Sequence, residues 1–427
     1  MTENIKLPLA AATDQLSSTP PIHYSPLPGC EKLDQNAKMP ALYLHVPFCT
    51  TKCHYCDFYS LAGHLDKIPK YLAALNVELH LQTRHFQTPA PETIFIGGGT
   101  PTLLPPPDLS SLYTMLLNFI NNSNLKEFTT EANPNTFDSQ RAAILAKFGV
   151  NRISFGAQSF HIAELHTLQR DHDPQSVAPA VKAARAAGIS NINIDLIFGI
   201  PGQTLTSLRH SLTQAIELEP KHLSCYSLVY EPNTPMAARL KSGQIHAIDE
   251  SLELEMFGLV QETLATAGFN RYEISNFARP GFACRHNLHY WHGNNYLAFG
   301  PAAAAHHSGF RWKNVPSLTR YTDALLAADP RVPVTQLEHL TGPARWGELA
   351  MLAMRLDEGL NFNSFTQRTG LNAKAILAGV IHKYDGLNLL ECTNDSLRLT
   401  PRAVNVSDTI IAQVLAAFDS AGPNCPA

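Results

Sequence analysis

Ala41-Leu-Tyr-Leu-His-Val-Pro-Phe-Cys49-Thr-Thr-Lys-Cys53-His-Tyr-Cys56-Asp-Phe-Tyr59 carries the densest chemistry in the chain. An apolar, strand-like run ends in three cysteines crowded into eight residues, spaced C-x3-C-x2-C. The other five, Cys30, Cys225, Cys284, Cys392 and Cys425, are scattered through 427 residues. Disulfide frameworks belong to small secreted domains, so a tight cluster in a chain this long points to metal binding or catalysis. A zinc site of this kind ordinarily draws on a second, similarly spaced pair, and the chain has no other C-x-x-C. A four-iron cluster normally takes four cysteines; three thiolates would leave one iron open to an outside ligand. S-adenosylmethionine suits that position: its amino and carboxylate groups chelate the open iron, and one electron from the cluster then cleaves its sulfonium bond. A degenerate zinc knuckle or incidental cysteines are the plainer alternatives.

Outward from this stretch, short apolar runs alternate with amphipathic ones. Strands are expected at 41–48, 93–96, 127–132, 152–155, 191–198 and 224–230. Between them, Leu109, Leu112, Leu116 and Phe119 follow Asp108, and Leu205, Leu208, Leu212 and Ile216 follow Thr204, each series at helical spacing after an N-cap residue. Repeated strand–helix units imply an α/β fold with a parallel sheet, whose ligand chemistry gathers at the carboxyl ends of the strands. The unusual residues lie there: Gly97-Gly98-Gly99-Thr100-Pro101, Glu131, Gly156 with Gln158, and Asp195 before Gly199-Ile200-Pro201-Gly202. Hydrophobic residues make up 44%, charged residues 16%, and the formal net charge is −4. That balance fits a packed soluble protein and argues against nucleic acid as a partner. No apolar stretch approaches the roughly 20 residues that span a bilayer, and the first 40 lack signal-peptide order, so a cytoplasmic protein is expected.

The run from Tyr43 through Tyr59 resembles the radical-SAM proteins related to oxygen-independent coproporphyrinogen III dehydrogenase, the HemN-like family. The resemblance extends from Tyr43 into the C-terminal region and implies a partial (β/α)6 barrel with a [4Fe-4S] cluster on Cys49, Cys53 and Cys56. It also implies S-adenosylmethionine contacts by position. Tyr43 would lie near the methionine part. Gly98, Gly99 and Thr100 belong to the loop that receives the amino group, and Glu131 would hold the ribose hydroxyls. Gln158, Arg170 and Asp195 match further polar contacts. Each of these residues alone could equally be an aromatic of a strand, a tight turn, a cap or an ion-pair partner.

Two members of the family differ in class. A dehydrogenase would oxidatively decarboxylate coproporphyrinogen III to protoporphyrinogen IX; the HemW type is a heme chaperone. The dehydrogenases carry a fourth cysteine two positions after the third, where this chain has Phe58. The segment Cys284-Arg-His286-Asn287-Leu-His-Tyr290-Trp291 contains the H-N-x-x-Y-W core that resembles the HemW signature. Imidazole is a common axial ligand of heme iron, and Tyr and Trp offer apolar faces to a porphyrin. His286 is therefore the candidate heme ligand, with Cys284 as a possible second ligand or attachment point and His289, His292, His306 and His307 as weaker candidates. This resemblance implies heme, acceptor hemoproteins of the respiratory kind and transient contact with membrane-associated acceptors. A radical-SAM methyltransferase or another porphyrin-modifying enzyme is a third reading. The expected organisation is a flexible leader at 1–40, the barrel at 41–280, a heme-motif region and connector at 281–334, and a winged-helix-like domain at 335–427. That last domain should not bind DNA, since residues 371–417 hold four Lys/Arg against four Asp/Glu.

Overall fold

In the computed structural model, residues 22–24, 38–85 and 89–421 are described. Six parallel strands lie side by side in chain order: β1 (Ala41–Val46), β2 (Thr93–Gly98), β3 (Glu127–Ala132), β4 (Arg152–Gln158), β5 (Asn191–Phe198) and β6 (His222–Ser227). Outer helices such as Pro106–Asn118, Val177–Ala186 and Leu205–Glu217 connect them. Successive side chains of a strand point to opposite faces. In β4 to β6 the polar Ser154, Asn193, Asp195 and Ser224 therefore form one row, while Ile153, Phe155, Ile192, Ile194 and Leu223 pack into the apolar core. Each Leu or Phe buried fully there contributes about 2–3 kcal/mol. This is the expected α/β architecture, a partial (β/α)6 barrel.

The sheet does not stop at residue 280. Tyr296–Phe299 pairs in parallel with β1, and Ala304–His307, Phe310–Asn314 and Val332–His339 extend it as antiparallel strands. On the other side, Asn276–Ala278 and Asn270–Glu273 continue from β6. Among the described residues, thirteen strands form one continuous sheet. The strand Val332–His339 carries that sheet across residue 335, so the helical domain begins at Gly342. Within the expected leader, Ile22–Tyr24 forms a strand on Val332–Val334; residues 1–21 and 25–37 lie outside the described residues.

Thr204 caps its helix as expected, in a reciprocal capping box with Ser207. Asp108 does not cap. That helix starts one turn earlier, after Pro105, because Pro106 and Pro107 occupy its first positions, where a missing N–H costs nothing; Asp108 sits in the first turn, favourably placed for the helix dipole. The C-terminal domain has its own apolar core, including Leu349, Met354, Phe365, Leu397 and Phe418. Its helices surround a small sheet of Leu360–Asn361, Ser396–Leu399 and Leu390–Cys392, the winged-helix-like arrangement. Leu390–Cys392 and Ser396–Leu399 form the hairpin of this sheet. Polar pairs join this domain to the large sheet. Arg311 meets Glu348 at 2.5 Å, Arg271 meets Asp357 at 2.6 Å, and His292 meets Glu358 at 2.9 Å.

Candidate functional site

Backbone hydrogen bonds stitch the cysteine loop to the glycine loop at the carboxyl end of the barrel. Gly99 N–H donates to the Val46 carbonyl at 2.8 Å, Thr100 N–H to the Phe48 carbonyl at 2.7 Å, and Leu61 N–H to the Pro47 carbonyl at 2.7 Å. Phe48–Cys49 pairs with Leu61–Ala62, closing the loop on itself. The loops approach so tightly that only glycine fits. A Cβ at Gly99 would lie 2.6 Å from the Phe48 carbonyl oxygen, one at Gly97 would lie 2.5 Å from Glu131 Oε2, and one at Gly98 (φ +102) would overlap the His45 ring.

Cys49, Cys53 and Cys56 are free thiols. Thr100 Oγ1 donates to Cys49 Sγ at 3.9 Å, and Arg170 donates to Cys53 Sγ at 3.6 Å and to the Gly156 carbonyl. Burial pushes the Cys49 thiol up, and the Cys56 thiol up to about 11. Such thiols become thiolates only with a cation to bind, and Lys52 and Arg170 supply neighbouring positive charge. Among the described residues, no three His, Cys, Asp or Glu side chains converge as the ligands of one metal ion would. A four-iron cubane, in which each thiolate holds its own iron, does not need that convergence.

The remaining expected cofactor residues come together on neighbouring strand ends. Glu131 Oε2 accepts the Gly98 N–H at 2.9 Å, and burial pushes its carboxyl up to about 7. Asp195 accepts from Asn193 at 2.7 Å and Ser154 at 3.1 Å, and burial raises its pKa. Gln158 adopts the left-handed region (φ 63), and its buried Oε1 has no partner. Arg170 Nε is likewise buried and unpaired. Two polar atoms of this kind facing the same strand end as three thiols and a glycine cradle fit a polar cofactor beside a cluster. Tyr43 is also present, with its hydroxyl committed to His45 Nδ1 at 3.0 Å. His45 Nε2 lies 2.7 Å from the Tyr59 carbonyl, so Nε2 carries the proton and Nδ1 accepts from Tyr43. Burial lowers the His45 pKa to about 4, which keeps the ring neutral. The sequence reading did not single out His45, although it lies within the Tyr43-to-Cys49 run.

The H-N-x-x-Y-W segment lies at the opposite end of the barrel. It forms the helix Arg285–Trp291, held by the first residues of the strands. Glu127, which opens β3, accepts the N–H of Arg285 at 2.9 Å and of His286 at 3.1 Å, and the Cys284 thiol at 3.4 Å. The His286 ring is 1% exposed and lies against Phe95, at a centroid distance of 5.3 Å. Its Nδ1 bonds Thr93 Oγ1 at 2.9 Å and its Nε2 bonds Tyr290 OH at 2.8 Å. Both ring nitrogens of His286, the candidate heme ligand, are thus engaged within the protein, and an iron would have to displace Thr93 or Tyr290 to reach one. Burial lowers its pKa to about 3. Thr93 and Gly98 are the two ends of β2, about 17 Å apart at 3.3 Å per residue, so this helix and the cysteine end are separate places.

A chain of buried hydrogen bonds runs between the two ends. Cys284 N–H donates to Tyr272 OH (3.3 Å), which bonds His222 Nε2 (2.8 Å); His222 Nδ1 bonds Asn193 Oδ1 (2.6 Å), and Asn193 Nδ2 donates to Asp195. Buried Arg152 lies among Cys284, Glu127 and Tyr272. The sequence reading missed these residues; their signal was polar side chains at strand starts where apolar ones are usual.

Residues 43–215 match the model of the Radical SAM superfamily, and residues 340–406 match that of the HemN C-terminal domain. The chain is 35% identical over 363 residues to the heme chaperone HemW of Bacillus subtilis, covering 85% of this chain and 95% of that protein. It is 36% identical over 377 residues to heme chaperone HemW of Mycobacterium tuberculosis, covering 88% and 94%. Among solved structures it is similar to coproporphyrinogen III oxidase (HemN) from Escherichia coli, a radical SAM enzyme. The TM-score there is 0.79 at 21% identity, over 91% of this chain and 92% of that one, a likeness of fold.

Proposed function

Because this chain belongs to the HemW family of radical-SAM proteins, we propose that it is a heme chaperone that holds a [4Fe-4S] cluster and S-adenosylmethionine and hands heme to acceptor hemoproteins. Cys49, Cys53 and Cys56 hold the cluster, which when bound supplies an iron with a free coordination position and a single electron. The Gly98, Gly99 and Thr100 backbone lines the place of the amino group. Glu131 takes the ribose hydroxyls, Gln158, Arg170 and Asp195 supply further polar contacts, and Tyr43 closes one side. Arg170 has a second task, placing a positive charge beside the Cys53 sulfur. Acceptors are hemoproteins of the respiratory kind, some of them at the membrane. Among the described residues no helix is long and apolar enough to cross a membrane.

The observation that carries the chaperone reading over the dehydrogenase reading is Phe58. Where the dehydrogenases place a fourth thiol, this chain presents an aromatic ring that is 67% exposed. The test is anaerobic. Cluster-reconstituted protein is titrated with heme, mixed with an apo-hemoprotein, and in parallel given coproporphyrinogen III with S-adenosylmethionine and a reductant. Saturation near one heme per chain, with transfer to the acceptor and no protoporphyrinogen, is expected. Conversion of coproporphyrinogen III without heme binding would return the dehydrogenase to first place.

A further inference from the structure

Asn193 is the centre of a set of polar side chains on β4 to β6 that lock one another into a single orientation. In register, Asn193 on β5 stands abreast of Ser154 on β4 and of His222 on β6, one strand to either side. All three are buried, and buried polar groups persist where each finds a partner. Two residues further along β5, about 7 Å nearer the carboxyl end, Asp195 stands abreast of Gly156. Gly156 leaves room there: a Cβ on it would lie 2.9 Å from Gln158 Nε2 and 3.1 Å from Arg170 Nη2. Asp195 thus shares its layer with the expected cofactor contacts, whereas His222 lies one layer below.

The directions of these hydrogen bonds follow from which groups can donate. Asn193 Nδ2 donates to Asp195 Oδ1 at 2.7 Å and to Ser154 Oγ at 2.7 Å, and the Ser154 hydroxyl donates to Asp195 Oδ2 at 3.1 Å. Turned over, the amide would set its oxygen against the carboxylate. Its Oδ1 therefore faces His222 Nδ1 at 2.6 Å and accepts the Ser224 hydroxyl at 3.2 Å, so His222 carries its proton on Nδ1. The far side of the ring requires the same tautomer. The Tyr272 oxygen accepts the Cys284 N–H at 3.3 Å, and its own proton goes to His222 Nε2 at 2.8 Å. Burial and the Arg152 charge keep the His222 ring neutral. Every donor points toward Asp195, and both its oxygens receive one, the pattern that suits an ionised carboxylate.

We propose that His222 is a positioning residue for S-adenosylmethionine: by fixing the Asn193 amide it holds Asp195 as a charged acceptor for the cofactor, without touching the cofactor itself. The proposal rests on the S-adenosylmethionine reading above. The experiment is anaerobic calorimetric titration of cluster-reconstituted, full-length protein with S-adenosylmethionine, in the wild type and in Asp195→Asn, His222→Asn and His222→Gln. Asn places an N–H where Nδ1 stands, whereas Gln places one where Nε2 stands. Asp195→Asn and His222→Gln should each weaken binding about tenfold, as the loss of one charge-assisted hydrogen bond would, while His222→Asn stays within about threefold of wild type. A side chain that merely filled space would give the opposite order, because Gln is nearer to His in volume. Wild-type affinity in His222→Gln, or a loss in His222→Asn as large as in His222→Gln, with Asp195→Asn weakened, would overturn the positioning role and leave the S-adenosylmethionine reading standing. Undiminished binding in Asp195→Asn, or no saturable binding by the wild type, would remove both. If the His222 variants do not fold, nitrogen-15 NMR of the histidine rings in the wild-type protein decides. A proton on His222 Nδ1 is expected, and one on Nε2 would mean a turned amide and overturn the proposal.

Discussion

Glu127→Ala removes the carboxylate that holds the helix Arg285–Trp291 against the barrel. It deprives the N–H groups of Arg285 and His286 of their acceptor and takes an anion from the surroundings of Arg152. Two charge-assisted hydrogen bonds at about 1.5 kcal/mol each give about 3 kcal/mol, rising toward about 5 kcal/mol if the stranded guanidinium is counted. At 1.4 kcal/mol per tenfold, local opening of the helix should become about a hundred to a few thousand times more populated. Cys284 reports it, because its thiol is fully buried and burial pushes its pKa up to about 12. The assay is alkylation at fixed pH, resolved peptide by peptide by mass spectrometry, with buried Cys225 in the barrel core as internal reference. Labelling of Cys284 should accelerate at least about a hundredfold while Cys225 is unchanged, and Glu127→Gln, which keeps one acceptor, should fall between. An acceleration below about fivefold would show that the carboxylate does not hold the helix.

Replacing Cys49, Cys53 or Cys56 singly with Ala should reduce bound iron and the associated visible absorbance to background after reconstitution, while Cys392→Ala keeps both; retained absorbance in any of the three would unseat that ligand. Gly98→Ala, forced toward the His45 ring at φ +102, should abolish S-adenosylmethionine binding by calorimetry, and near-wild-type affinity would contradict the close approach. His286 has a folded pKa of about 3, below its unfolded value, so the unfolded state takes up the proton first and stability falls as pH drops from 6.5 toward 3. His286→Gln should therefore lose about 3 kcal/mol less than wild type between pH 7 and pH 4 in urea titrations, and parallel losses would refute the assignment. Glu348→Ala leaves Arg345 without its carboxylate and Arg311 with Glu338 alone, so limited proteolysis should release the C-terminal domain sooner, and unaltered digestion would show that these pairs do not hold it.

The cysteine end was legible because its chemistry is local: three thiols within eight residues and three consecutive glycines each state a constraint in their own sequence. The strands were legible from β1 to β6 for a similar reason, since their alternation is written residue by residue. What escaped was non-local. The extension of the sheet from Tyr296 to His339 depends on pairing with Ala41–Val46, some 250 residues earlier. The structural role of His286 depends on Thr93 and Tyr290 meeting it, and a motif read in isolation cannot distinguish a ligand from a keystone. Asp108 misled for a smaller reason, because proline at the first helical positions moved the helix start ahead of the better capping residue.

Thr93, Glu127, Arg152 and His222 open β2, β3, β4 and β6, and with His286 packed beside them all are buried. Packed side chains therefore fill the amino-terminal ends of these strands, which leaves the carboxyl end, where the cysteines stand, as the side from which a ligand would reach the barrel.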